Sequence, residues 1–519
     1  MRMGYQVGSV GMKEKRRSLP REVRSALGIC VIFVAGCAVG PDYKSPVVWS
    51  PKEWSSQQVQ STTLFSGSLA EKSNLTAAHL DVEWWKAFND PLLNSLVERV
   101  ASQNLDVQAA SARIEESRAS LGITGAAQYP TLSGNGLYSR TQSSSMFAER
   151  ASRSISGEDV MGGRSIPQWN VWYYGLDAMW EADLWGKVRR DVEKAEATLQ
   201  ESEEERRAVL IAQMAEVARN YITLRGLQTQ LDIVVANRKV AVEEVELTEE
   251  RYRGGLTTQL DVENARSQLK TLDAQIPQLK EQVRSTINAI GLLLGAPPQA
   301  LAKELDTPQK IPVLPYQVPV GLPSQLAERR PDIRKADAEL HAATADIGVA
   351  EAQFYPRLIL NGNLGFQALS FRDLGFWNAR SWNVGPIITI PFFEGGKLRG
   401  QLKLAEATQK EAAVNYRKTV LTAWREVDDA MDSYQKEQSR NRELQQNVQA
   451  NRNALALARE QYQHGTQTFL NVLDAQRRVL SSEVDLVLST TTQSTNLVKL
   501  YNALGGGWEH TYKLVRSEN

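Results

Sequence analysis

Two stretches of about 65 residues, 210 positions apart, carry the same apolar pattern and contain no proline. One runs from Val188 to Tyr252, and the other runs from Leu398 to Tyr462. In both, apolar residues recur at steps of three and four or their multiples, which predicts α-helices. At 1.5 Å per residue each helix is about 100 Å long, whereas helices of globular domains usually have about 8 to 20 residues. A coiled-coil-like assembly is therefore needed to bury the apolar stripe.

The two helices belong to a longer internal repeat, because several short motifs occur twice in the same order. WEADLWGKVR from Trp180 recurs as IPFFEGGKLR from Ile390, and YRGGLTTQLDVENA from Tyr252 recurs as YQHGTQTFLNVLDA from Tyr462. A Tyr-Pro pair at 129–130 recurs 226 positions later, at 355–356. The first half therefore contains an insertion, and the Ser, Gly and Arg content of residues 143–168 indicates a long exposed loop there.

Strand signals of period two precede each long helix. Trp172, Tyr174, Leu176, Ala178 and Trp180 alternate with more polar residues, and positions 382 to 392 behave alike. Each follows a Gly-rich extended stretch, which gives two hairpins with strands at about 131–140 and 170–182, and at about 357–369 and 381–393. One face suits lipid and the other suits water. The alternation alone is equally compatible with a soluble, half-buried sheet.

If the hairpins span a membrane, strands from more than one chain must combine. No run of 18 or more apolar residues occurs after residue 37, so any span must consist of β-strands. Four strands cannot close a barrel, and an open edge is not tolerated in hydrocarbon. Two, three or four chains would give eight, twelve or sixteen strands, and the residues do not choose among these numbers.

The N-terminus has the pattern of an export signal. Basic residues between Lys13 and Arg24 precede an apolar run from Ala26 to Ala35, which is too short to span a membrane as a helix. Val34-Ala35-Gly36-Cys37 is similar to a bacterial lipobox, in which the cysteine is acylated after cleavage. The other cysteine, Cys30, lies in the part to be removed, so we expect no disulfide in the mature chain.

Shorter helices are predicted at Pro91 to Ala126, Thr258 to Leu294, Pro331 to Gln353 and Thr468 to Leu504, and Pro277 should interrupt or kink the second of these. The predicted organisation is a signal peptide (1–36), a lipidated extended segment (37–88), a first repeat (89–295) with a long helix at about 184–254, a Pro-rich linker (296–323), a second repeat (324–508) with a long helix at about 396–464, and a C-terminal tail (509–519).

Composition and motifs point away from nucleic-acid binding and catalysis. Lys plus Arg (60) equals Asp plus Glu (60), so no net charge favours a polyanion. The four histidines are scattered without metal-ligand spacing, and Gly395-Gly396-Lys397 lacks the other residues of a phosphate-binding loop. We therefore expect no enzyme activity, no metal and no cofactor, apart from a covalent lipid on Cys37.

The most specific motifs are GCAVGPDYKSP from Gly36, LPSQLAERRPDIRKADAEL from Leu322 and the two Tyr-Pro strand starts. In their order and spacing the chain resembles the outer-membrane efflux family exemplified by TolC and OprM, specifically its NodT-type lipoproteins. The resemblance implies a homotrimer, in which twelve strands, four per chain, form one transmembrane β-barrel that continues as an α-helical coiled-coil tunnel in the periplasm.

The resemblance also implies the partners and the location. A periplasmic adaptor and an inner-membrane pump of the resistance-nodulation-division type would deliver small toxic molecules or drugs to this passive duct. The protein would be anchored in outer-membrane lipid of a bacterial cell, with a large periplasmic part.

The same resemblance places a gate and a docking site at the helix-turn-helix tips. The gate would involve Asp261, Asn264, Tyr462, Gln467, Asn471 and Asp474, and the adaptor would dock at Gly254, Gly255, Leu256, Gly465 and Thr466. Gln467 stands where the best-known pattern has a latch arginine, and Asn471 stands where it has an acid. Since charge-assisted hydrogen bonds are stronger than neutral ones, these departures weaken the inferred latch.

Two other classes of protein are compatible with parts of the pattern. A lipid-anchored periplasmic coiled coil would need no amphipathic hairpins, so the segments 172–180 and 382–392 argue against it. The exit duct of a type I secretion system would keep the fold but would carry polypeptides. The lipobox favours small-molecule efflux by analogy only.

Overall fold

The computed structural model describes residues 38–47, 54, 74–76, 82–142, 144 and 168–509. The predicted signal peptide, Cys37, most of the 143–168 loop and residues 510–519 lie outside this part of the chain. The described residues divide into two compact units: unit 1 contains the parts within residues 1–42, 124–192 and 345–405, and unit 2 contains those within 43–123, 193–344 and 406–519.

The helices and strands follow one another along the chain in this order. They are β1 (Asn74–Thr76), a 3₁₀ helix (Trp84–Phe88), α1 (Pro91–Gln103), α2 (Leu105–Ala126), β2 (Thr131–Thr141), β3 (Trp169–Ala182), α3 (Lys187–Arg253), α4 (Gln259–Leu293), α5 (Ala302–Leu305), β4 (Gln317–Pro319), α6 (Leu326–Arg329), α7 (Pro331–Ala352), β5 (Arg357–Ala368), β6 (Arg380–Thr389), α8 (Lys397–Gln463) and α9 (Phe469–Ala503), with three further 3₁₀ turns at Pro323–Gln325, Phe371–Asp373 and Trp377–Ala379.

The two long helices have the predicted extent. Both α3 and α8 contain 67 residues, and both α4 and α9, which follow them, contain 35. Of the two expected effects of Pro277, an interruption or a kink, the interruption does not occur, because α4 continues on both sides of Pro277. The loss of one backbone hydrogen bond is tolerated in a helix whose apolar face is buried at many other positions. No helix in the described part of the chain is both long and apolar enough to cross a membrane.

The sheet of unit 1 is antiparallel, with the strand order β2-β3-β5-β6. Residues directly opposite each other on neighbouring strands have their side chains on the same face of the sheet. In every such pair both residue numbers are even or both are odd, so even-numbered residues occupy one face and odd-numbered residues the other. Leu176 lies opposite Gly134 and Leu364, whereas Asp177 lies opposite Ser133 and Asn363. The even-numbered face is therefore mainly apolar in all four strands, with Arg140, Asn170 and Arg380 near its margin, and the odd-numbered face carries most of the polar residues. Among the described residues, the lateral edges of β2 and β6 have no neighbouring strand.

Strand β6 is shorter than predicted. It ends at Thr389, so the expectation that it extends to residue 393 is wrong. The next positions include Pro391, which has no N–H to donate to a ladder. Pro386 lies inside β6, which is an edge strand where a missing donor is tolerated.

The largest hydrophobic cluster lies in unit 2 and combines residues distant in sequence. Trp84 stacks on Tyr501 with ring centroids 5.4 Å apart. The Tyr221 hydroxyl donates to Asp90 at 2.6 Å, and Asp90 also caps α1 by accepting from two backbone N–H groups. The Pro-rich linker is ordered partly by β4, which pairs in parallel with β1.

Residues 38–42, which follow Cys37, are held by contacts with the rest of unit 1. The Val39 N–H donates to the Trp185 carbonyl at 3.0 Å, and the Arg190 side chain donates to the Gly40 carbonyl at 3.3 Å and to Asp42 at 2.7 Å. Gly40 has a φ of +91°, and a Cβ there would lie 2.4 Å from the Cα of Gly348. Only glycine fits this backbone-to-backbone contact.

Candidate functional site

The candidate site lies at the tips of the two hairpins α3–α4 and α8–α9, in unit 2. Each long helix ends at a glycine with positive φ, Gly255 (+71°) or Gly465 (+73°). In the first tip, Gly255 N–H donates to Tyr252 O and Leu256 N–H donates to Arg251 O; Gly465 and Thr466 repeat this arrangement in the second tip. These are Schellman motifs, which require a left-handed residue at this position and explain both glycines.

The predicted docking residues form the surface of these turns. Leu256 is 75% exposed, and Gly254, Gly255, Gly465 and Thr466 are also exposed.

Asp261 lies in the first turn of α4 and stabilises the start of that helix. Its Oδ2 accepts from the hydroxyls of Thr257 (2.5 Å) and Thr258 (3.1 Å) and from the N–H of Thr258 (3.3 Å). A carboxylate in this position interacts favourably with the positive end of the helix dipole. Asp261 is half-buried, as is Asn264 one turn further on.

The predicted gate residues of the second tip pair with near neighbours. The Asn471 amide donates to the side-chain oxygen of Gln467, so the two departures from the family pattern bond to each other. Asp474 forms an exposed ion pair with Arg478 at 2.9 Å. The chain therefore places Gln467, Asn471 and Asp474 on the first turns of α9 and the residues just before it, with local partners.

Tyr462 has a different environment from the other predicted gate residues. It is 7% exposed and belongs to a cluster with Ala265, Phe469, Val472 and Leu473. Its hydroxyl has no hydrogen-bond partner among the described residues. The Tyr462 ring packs on Phe469, and the Tyr462 backbone carbonyl accepts a hydrogen bond from Arg251.

Two contacts between the hairpins were not anticipated from the sequence. The Arg251 guanidinium lies 4.5 Å from the centroid of the Tyr462 ring and donates to the carbonyls of Tyr462 (3.0 Å) and Gln463 (3.3 Å). Seven residues earlier on α3, Glu244 accepts from Arg459 of α8 at 2.9 Å. We call these four residues, Glu244, Arg251, Arg459 and Tyr462, the tip clasp.

The ion pair of the tip clasp is shielded from water on its acidic side. The Glu244 side chain is 11% exposed and the Arg459 side chain 38%. Burial raises the pKa of the Glu244 carboxyl, and the hydrogen bond from Arg459 offsets this only in part. The one feature of the sequence that could have indicated a role for Arg251 is its position in the last turn of a predicted helix, where a cation interacts favourably with the terminal carbonyls.

Two long helical hairpins and a four-stranded sheet with one mainly apolar face make up most of the described chain. The family model described as "Outer membrane efflux protein" matches residues 96–296 and 322–506. The chain belongs to this outer membrane efflux protein family.

Relatives and a solved structure agree over almost the whole length. The solvent efflux pump outer membrane protein SrpC of Pseudomonas putida is 32% identical over 482 residues, which cover 92% of this chain and 97% of that protein. Nodulation protein T of Rhizobium leguminosarum bv. viciae is 29% identical over 93% of this chain and 94% of that protein. The structure of the outer-membrane channel OprN superposes with a TM-score of 0.81 at 32% identity, covering 91% of this chain and 100% of that chain.

Proposed function

We propose that this protein is the passive exit duct of a tripartite efflux pump, which carries drugs or other toxic small molecules from the periplasm to the exterior. In this role it catalyses no reaction and needs no cofactor. A periplasmic adaptor and an inner-membrane pump of the resistance-nodulation-division type supply its cargo. Family membership and the likeness to OprN support an outer-membrane channel.

The observation that carries the proposal is the four-stranded sheet, which has one apolar face and two unpaired edges. Leu364, Trp382, Val384 and Ile388 on the even-numbered face are 60 to 74% exposed. Such a face suits lipid, but open edges do not. We propose that three chains join edge to edge into a twelve-stranded barrel, and that two structural repeats per chain continue it as a helical tunnel.

Helix surfaces support association with further copies. On α8, Leu404, Val414 and Leu421 are 68%, 62% and 50% exposed within one chain. These side chains would be buried in a tunnel wall made of several chains, since a long helix needs partners for its apolar positions.

We further propose that the tunnel closes at the tips and opens when the adaptor engages the docking residues. Three-fold symmetry would bring three copies of Asp261 and Asp474 near one axis, where carboxylates repel one another and attract cations. Asn264, Tyr462, Gln467 and Asn471 would complete this gate. The local partners of Asp261 and Asp474 hold their carboxylates at the tip ends.

The anchor is proposed to be an acyl group on Cys37. Ala38 packs close to Gly186, where a Cβ would lie 2.8 Å from the Ala38 Cα. Gly186 lies between the end of β3 and the start of α3. The lipid would therefore enter the membrane next to the end of the strands, and barrel and acyl chains would anchor the protein together.

The proposed function is tested in the producing bacterium. Deleting the gene should raise the accumulation of a fluorescent efflux dye, and the intact chain supplied on a plasmid should restore export. A matched variant with Leu176→Arg on the apolar face should fail to restore it. Normal dye export by the deletion strain, in a background without other ducts, would contradict the proposal.

A further inference from the structure

Within the tip clasp, Arg251 connects the C-terminal, partially negative ends of α3 and α8. The last carbonyls of a helix lack intrahelical partners and carry a partial negative charge. Arg251 lies in the last turn of α3, and its guanidinium donates to the last two carbonyls of α8, those of Tyr462 and Gln463. The last turn of α8 has no basic residue of its own. Arg251 therefore supplies charge compensation to both helix ends.

The guanidinium is also positioned by the ring beneath it. Its carbon lies 4.5 Å from the Tyr462 ring centroid, within the range of a cation–π interaction. Tyr462 is itself fixed by packing on Phe469, with ring centroids 5.6 Å apart. A planar, five-donor group can bond two carbonyls and stack on a ring at once, which an ammonium cannot do.

The second tip has no arginine at the position that corresponds to Arg251 in the first tip. The position equivalent to Arg251 in the second half, 210 residues later, is Gln461, and the Gln461 carbonyl is already bonded to the Thr466 N–H and hydroxyl. The neutral pair Gln467–Asn471 stays within its own tip. Arg251 therefore ties the C-terminal carbonyls of the second tip to the first tip, in addition to the Glu244–Arg459 pair.

We propose that Arg251 is a positioning residue, which fixes the second hairpin tip at a set distance from the first tip of the same chain and thereby stabilises the closed gate. This rests on the proposed closure at the tips. The Glu244–Arg459 pair, two helical turns away along α3, supports the same alignment. Without Arg251, two helix ends of the same sign face each other, and the tips separate.

The test measures tip spacing and conductance separately. Spin labels at Leu256→Cys and His464→Cys, in labelled chains diluted among unlabelled ones, report the distance between the two tips of one chain by pulsed electron paramagnetic resonance. We expect one narrow distance in the parent and in Arg253→Gln, which removes an exposed arginine of the same helix turn. Arg251→Gln should give a longer, broader distribution, and Arg251→Lys, which keeps the charge but loses the planar fork, should restore only part of the parent distance.

In planar bilayers Arg251→Gln should raise the open-channel fraction about tenfold or more, since tenfold corresponds to about 1.4 kcal/mol, and a hydrogen bond to a charged group contributes at least that much. Arg253→Gln should conduct as the parent does.

An unchanged tip distance in Arg251→Gln, with the oligomer intact, would overturn the proposal. So would an unchanged open fraction in a preparation whose parent conducts. A widened distance in chains that never conduct would support the positioning role of Arg251 and would count against the exit-duct function alone.

Discussion

The orientation of the sheet predicts unequal effects of two adjacent substitutions. Leu176 is in the middle of the 14-residue strand β3 and is 49% exposed on the apolar face. Arginine on the lipid face costs about 2 to 4 kcal/mol near the bilayer midplane. Leu176→Arg should therefore lower the equilibrium constant for assembly about 30-fold to 1000-fold per chain, since about 1.4 kcal/mol corresponds to a factor of ten.

Asp177→Arg is the matched control, because it places the same side chain one residue further along the strand but on the polar face. Asp177 accepts a hydrogen bond from Asn135, and the loss of this exposed contact costs little. The assay is the amount of oligomer in the outer-membrane fraction, resolved by semi-native electrophoresis at equal expression. We expect at least a tenfold loss for Leu176→Arg and less than a twofold loss for Asp177→Arg. Equal losses, or a greater loss for Asp177→Arg, would refute the assignment of the two faces.

Three further predictions concern other parts of the chain. Gly40→Ala should release the segment after Cys37 from unit 1, because its Cβ would collide with Gly348, and limited proteolysis should then cut within residues 38–47; protection equal to the parent would contradict this. Gly255→Ala should weaken adaptor binding in a pull-down and cost about 1 to 2 kcal/mol locally through its left-handed φ. Gly400→Ala, in α8 outside the tips, where an added Cβ has nothing within 4 Å, is the control. Burial raises the pKa of the Glu244 carboxyl, so its protonation favours the folded state. The free energy of unfolding of the parent, relative to that of Glu244→Gln, should therefore rise as the pH falls from 7 toward the unfolded pKa of about 4.5. Thermal unfolding at several pH values checks this, and a difference that does not change with pH would disprove it.

Local periodicity was sufficient to predict the helices and the faces of the sheet. The steps of three and four from Val188 onward gave α3 almost to the residue, and the alternation at 172–180 gave the apolar face of β3. The glycines of the tips were located through the family resemblance, and they stand where a Gly after a long helical pattern is expected to end the helix. These features depend on neighbouring residues only.

The contacts between distant segments could not be predicted in the same way. The pairing of Asn74–Thr76 with Gln317–Pro319 joins two three-residue strands without a recognisable pattern. The interaction of Arg251 with Tyr462 depends on the packing of two hairpins 210 positions apart in sequence, and single-sequence spacing does not reveal which cation faces which helix end. The early end of β6 depended on one proline, Pro391, inside an otherwise apolar stretch.

The central claim is that several copies of this chain enclose one continuous duct that closes at the tips. Single-channel recording of the purified protein in planar bilayers tests it most directly. We predict one uniform conductance per oligomer, rare openings without adaptor, and a large rise in open probability when adaptor is added from the side that faces the tips. A purified, intact oligomer that never conducts, with or without adaptor, would contradict the claim.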